Sequence, residues 1–187
     1  LLEKVHDELG RAIHPGMSTW EINKLGEEMI RSFGCTPNFL NYNGYPASIC
    51  VSVNEEVVHG IPSKKRILKE GDIVSLDAGL IYEGYHSDAA RTHAVGEISP
   101  EARKLVEVTR QAFFEGIKYA KAGHHLHEIS AAIGAYAESF GYGVVRDLVG
   151  HGIGTHLHED PAVPNFAQPS RGVRLQPGIC LLYTSPS

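Results

Sequence analysis

Residues 14–34, HPGMSTWEINKLGEEMIRSFG, recur in outline at 121–141, KAGHHLHEISAAIGAYAESFG. Gly16, Glu21, Ile22, Ser32, Phe33 and Gly34 align with Gly123, Glu128, Ile129, Ser139, Phe140 and Gly141 at a single offset of 107. Amphipathic helices resemble one another, so chance likeness is one account; duplication is the other, and it constrains the fold more. A duplicated chain builds two related α+β halves, roughly 1–97 and 98–187, that face each other across a pseudo-twofold axis with room for a site between their sheets.

Periodicity predicts helices over 1–12 and 18–33, the second capped by Ser18 or Thr19 with Glu21 in its first turn and Gly34 at its end. β-Branched, partly alternating stretches at 47–58, 72–81 and 86–95 predict strands. Further helices are expected over 99–120 and 125–140, and strands and loops from Val144 onward. The charged run SKKRILKEGD, 63–72, reads as a solvated loop leading into a strand.

With 187 residues, 42% of them hydrophobic, the chain suits one or two globular domains and can bury a sizeable core. A net charge of −5 offers no broad cationic surface for nucleic acid, and no run of apolar residues is long enough for a membrane span. Cys35, Cys50 and Cys180 are few and odd in number, which argues against a disulfide framework and for a reducing compartment. No secretory leader opens the chain, although it begins at Leu1 rather than Met.

Asp77 and Asp88 stand in SLDAGLIYEGYHSDAARTHAVG, 75–96, where the neighbours read as buried strand. If 73–81 and 85–95 form a hairpin around YEGY, a two-residue turn places both side chains on one face, directly opposite or one diagonal step apart. The carboxylates then lie roughly 5 to 8 Å apart. Burial and like charge raise their pKa values or demand a cation. A solvated outer face, a proton-sharing acid dyad and a metal pair all remain open, although the Asp-Thr-Gly and Asp-Ser-Gly triplets of aspartic proteases are absent.

A metal pair needs nitrogen ligands, and GHGIGTHLHEDPAVP, 150–164, supplies candidates. His151 lies between glycines that let the backbone turn tightly, and His158 follows seven residues later. His59 adjoins a glycine in VVHGIP. The sequence has no G-x-S-x-G elbow, phosphate-binding Gly-rich loop or H-E-x-x-H helix, and HHLHE at 124–128 reads as a solvated helix start.

Taken together, Asp77 and Asp88 in D-x10-D, His151 in G-H-G-I-G, His158 in H-E-D-P and His59 in H-G-I-P make the chain resemble type I methionine aminopeptidase, in one register from near residue 1 to about 180. The resemblance implies the pita-bread α+β fold, two similar halves with antiparallel sheets. It also implies a cytoplasmic, monomeric enzyme that uses two divalent ions (Co, Mn, Fe or Zn) to trim the initiator methionine from nascent polypeptides at the ribosome. Carried over, Asp77 binds one ion bidentately, Asp88 bridges both, and His151 ligates the second. His59 and His158 contact substrate and the tetrahedral intermediate, while Tyr42, Tyr45, Cys50 and Leu157 fall in the methionine pocket. A water held between two cations is a ready nucleophile near neutral pH.

The chain departs from that pattern at its end. PGICLLYTSPS places Thr184 where the resemblance calls for a ligand glutamate, and the last glutamate ligand falls beyond residue 187. The expectation is a C-terminally incomplete copy of the family, with weak or no activity of its own. Two alternatives are a proline-specific peptidase of the same fold and a non-catalytic binding protein that keeps the fold. Asp77, Asp88, His59, His151 and His158 argue against the latter, since a binding module has no physical reason to retain buried charge without a cation.

Overall fold

A computed structural model describes residues 1–183, and the chain divides into two compact units, one from Leu1 to Arg103 and the other from Lys104 on. That division falls a few residues after the expected one at 97/98.

In the first unit, α1 (Leu2–Ala12) and α2 (Thr19–Ser32) precede a sheet of β1 (Thr36–Pro37), β2 (Ile49–Val53), β3 (Ile73–Tyr82) and β4 (Tyr85–Ala94). β3 pairs antiparallel with β1 and β2 along one edge and with β4 along the other. Alternation sorts the side chains. Val74, Leu76, Ala78 and Leu80 of β3 and Ile49, Val51 and Val53 of β2 pack with Leu2, Val5, Leu9, Ile22 and Ile30 of the helices into one core. The intervening residues, Cys50, Ser52, Ser75, Asp77 and Gly79, therefore share the opposite face.

α2 begins as its sequence predicts: Ser18 Oγ accepts from Glu21 N at 3.2 Å, and Glu21 Oε2 accepts from Ser18 N at 2.7 Å. The hairpin also forms as expected, with Glu83 and Gly84 at φ 51° and 83°, the left-handed pair that matches strand twist. The predicted strand at 47–58 is shorter, ending at Val53 in a turn. The run 63–72 is largely exposed, as expected, apart from one residue. Leu68 is buried, its N–H donates to Met17 O, and Ser18 bridges to Ile67.

The second unit holds most of α3 (Pro100–Ile117), then α4 (Leu126–Ser139), β5 (Gly150–Gly152), β6 (Glu159–Val163) and β7 (Leu181–Leu182), with β5 between β6 and β7. Leu126, Ile129, Ile133, Val163 and Leu175 form its core with Ala112. Local geometry repeats at the offset of 107. Gly16 N donates to Leu68 O and Gly123 N to Leu175 O; the bridge Ser18 to Ile67 recurs as His125 to Arg174. Glu128 Oε2 accepts from His125 N at 2.7 Å, as Glu21 does from Ser18. His125 is thus a helix N-cap, not only a solvated start.

Candidate active site

The hairpin register settles the aspartate geometry in favour of the diagonal arrangement. Asp77 stands opposite Ala90, and Asp88 opposite Gly79, so the two carboxylates share the face away from the helices. They are in direct contact: burial, the Asp77 charge and a hydrogen bond with Asp77 hold the Asp88 carboxyl well above the usual carboxylate range. Two acids in this setting share a proton, and a cation between them would replace it. The oxygen donors of this carboxylate pair, on a half-buried strand face, fit a divalent ion.

Around this pair the first unit places the other expected residues unequally. Cys50 lies opposite Asp77 on β2, buried, and burial followed by the Asp77 charge pushes its thiol up to about 12. Tyr45 is half-buried; burial and its contact with Cys50 raise its hydroxyl pKa, and Oη donates to Gly60 O at 2.8 Å. Tyr42, in a short helical turn after Asn41, is exposed. His59 is exposed at φ 58°, a left-handed conformation that few non-glycine residues adopt. It is held by the residue after it. Gly60 N donates to Ser52 Oγ at 3.0 Å, Val51 N donates to Gly60 O at 2.9 Å, and a Cβ on Gly60 would lie 2.2 Å from Val51 O.

In the second unit His151 and His158 come together, ring centroids 4.2 Å apart. His151 Nδ1 donates to Gly152 O at 2.8 Å, which makes Nε2 the nitrogen with the lone pair, the arrangement typical of a ligating imidazole. The flanking glycines serve close packing rather than a tight turn. A Cβ on Gly150 would lie 2.0 Å from Leu182 O, and one on Gly152 2.3 Å from Asp160 O, so β5 runs between its neighbours only as Gly-His-Gly. Leu157 is buried and His158 exposed. Among the described residues no group of three or more His, Cys, Asp and Glu gathers as a metal-holding cluster. The expected substitution at Thr184 lies outside the described residues.

Two polar residues beside the aspartates were not anticipated. Asn38 is 5% exposed and lies over Gly79 in the register of Asp88; it follows no recognisable motif. His6 is 0% exposed on the apolar face of α1 with Leu2, Val5 and Leu9. With Leu2, Val5 and Leu9 it completes the i, i+3, i+4, i+7 spacing of a buried helix face, which was the available signal.

Chains of known structure share this fold. The methionine aminopeptidase of Thermotoga maritima superposes with a TM-score of 0.92 at 44% identity, covering 95% of this chain and 72% of that one. An Xaa-Pro dipeptidase from Bacillus anthracis gives 0.80 at 31% identity, covering 95% of this chain and 48% of that one. The methionine aminopeptidase of Clostridium acetobutylicum is 55% identical over 173 residues, 92% of this chain and 69% of that protein. Fold and acidic face together define a metallopeptidase of the α+β pita-bread class. The profile of metallopeptidase family M24 matches residues 1–183, and the chain belongs to that family. Membership implies use of a divalent metal. No helix among the described residues is long and apolar enough to cross a membrane.

Proposed function

We propose that this chain is a methionyl aminopeptidase that removes the initiator methionine from nascent polypeptides. The observation that carries the reading is the 55% identity to the Clostridium acetobutylicum methionine aminopeptidase across 92% of the chain. The lower identity of 31% to the Xaa-Pro dipeptidase does not favour the proline-specific alternative. In this reading Asp77 and Asp88 hold two divalent ions, drawn from Co, Mn, Fe and Zn, and His151 contributes a nitrogen ligand through Nε2.

Bound metal supplies Lewis-acid activation of water near neutral pH. The chain's own residues do the rest. Asp77 and Asp88 give up their shared proton and hold negative charge where burial alone would not keep it. His59 and His158 contact the substrate and donate to the oxygen that gains charge at the scissile carbonyl. Tyr42, Tyr45 and Cys50 line the methionine side-chain pocket, and the raised pKa values of Tyr45 and Cys50 keep that lining neutral. The repeated geometry at offset 107 supports an origin by duplication. The reading further implies a monomer acting in the cytoplasm on chains leaving the ribosome.

The test is release of methionine from Met-Ala-Ser by the purified chain, stripped with a chelator and reloaded with cobalt or manganese. Weak release at most is expected from this chain; what release there is depends on the added metal and is lost in Asp88→Asn, with no cleavage of Xaa-Pro peptides. Preferential Xaa-Pro cleavage, or release indifferent to chelation, would overturn the reading.

A further inference from the structure

The peptide carbonyls on either side of Asp88 are each held by a buried side chain from another element. Asn38 Nδ2 donates to Ser87 O at 3.2 Å, and His6 Nε2 donates to Ala89 O at 2.8 Å. The two grips come from opposite faces of the sheet. Asn38 follows β1, where its own N–H donates to Gly79 O at 3.3 Å, and its amide fills the notch left by Gly79 on the aspartate face. His6 reaches up from α1 on the apolar face, among the core residues that pack beneath β3 and β4.

Both choices are costly as packing. Burying a polar side chain is unfavourable unless its hydrogen bonds compensate, and the net gain from each such bond is small. An aliphatic residue at position 6 would fill the same core. What the polar pair adds is geometric: β4 pairs with β3 alone among the described residues, and an edge strand held on one side rocks and twists readily. Gripping the units before and after Asp88, from above and below, removes that freedom at the one residue whose carboxylate must meet a cation.

We propose that Asn38 and His6 are positioning residues that clamp Asp88 in the geometry a divalent ion requires. The proposal rests on the metal-binding reading of Asp77 and Asp88. Partners that orient metal ligands in this way are typically worth about 10- to 100-fold in metal affinity.

The experiment is titration of the 187-residue chain with Mn2+, following the free ion by electron paramagnetic resonance, alongside urea denaturation of the same proteins. His6→Leu and Asn38→Ala are each expected to weaken Mn2+ binding about tenfold or more. His6→Gln, whose side-chain amide can still donate to Ala89 O, is expected to recover most of the affinity whatever its effect on stability. Either single replacement suffices if the other does not fold. Lowered urea midpoints with unchanged Mn2+ affinity would show a merely structural role and overturn the clamp. Failure of the underlying reading looks different: the unmutated chain shows no saturable Mn2+ binding, or Asp88→Asn binds as well as it does, and the clamp falls with it. Clamp failure alone leaves Asp88→Asn without binding while His6→Leu and Asn38→Ala bind normally.

Discussion

Tyr45 Oη donates to the carbonyl of Gly60 at 2.8 Å, tying the loop before β2 to the residue that follows His59. The histidine itself makes no strand; its position is inherited from a glycine fixed on three sides by Tyr45, Ser52 and Val51. Tyr45→Phe is therefore expected to cost about 1 kcal/mol. Gly60→Ala, which drives a methyl into the Val51 carbonyl, costs about 2 kcal/mol or more. Urea denaturation checks both, and equal, negligible losses would show that the loop is held by something else.

Gly79 and Asn38 make a second tight contact, with a Cβ on Gly79 predicted to fall 2.1 Å from Asn38 Oδ1. Gly79→Ala alone is expected to destabilise by about 1 to 3 kcal/mol through overpacking. In the Asn38→Ala background the obstructing amide is gone, and the same substitution becomes nearly neutral. A double-mutant cycle on unfolding free energies measures the coupling. Additive effects would mean that the two residues do not compete for one space.

His6 links stability to pH. Burial, with Arg91 and His93 adding like charge against the help of Ala89 O and Asp7, lowers its pKa from 6.5 to about 4. The ring is neutral in the fold, so the unfolded chain binds more protons between those values, and stability falls as pH drops through that window. The full loss, reached below about pH 4, is on the order of 3 kcal/mol. His6→Gln removes this part of the slope. A wild-type and variant pair whose unfolding free energies run parallel from pH 7 to pH 4 would contradict the assignment.

The recurring helix starts give matched expectations in the two units. Glu21 and Glu128 each accept a backbone hydrogen bond at 2.7 Å from the residue three before; the Ser18 hydroxyl and then that backbone bond hold the Glu21 carboxyl below its usual pKa, and the His125 N–H does so first for Glu128. Glu21→Ala and Glu128→Ala are each expected to lower the thermal or urea unfolding midpoint. A loss confined to one of them would show that the second start is held by other bonds.

Local signals in the sequence were sufficient for α2, α4 and the β3–β4 hairpin, because a cap, a helical period and a two-residue turn each act within a few residues. The shared face of Asp77 and Asp88 was legible for the same reason: strand alternation is a local rule. Whether they stood opposite or diagonal was not, since it depends on where the turn closes. Asn38 was illegible because its role depends on a glycine on another strand. His151 was found by its flanking glycines, yet their reason is the close approach of β6 and β7, which only pairing reveals. The buried Leu68 in a charged run was missed because its bonds run to Met17, far back in the chain.

β4 has one further consequence, for behaviour in concentrated solution. A ten-residue strand with one unpaired rim among the described residues is a template on which another chain can add. Its sequence places Asp88, Arg91, His86 and His93 along that rim's two faces, and a charge that must point inward makes a poor partner for an incoming strand. The aspartate that calls for a cation thus also guards the sheet against aggregation.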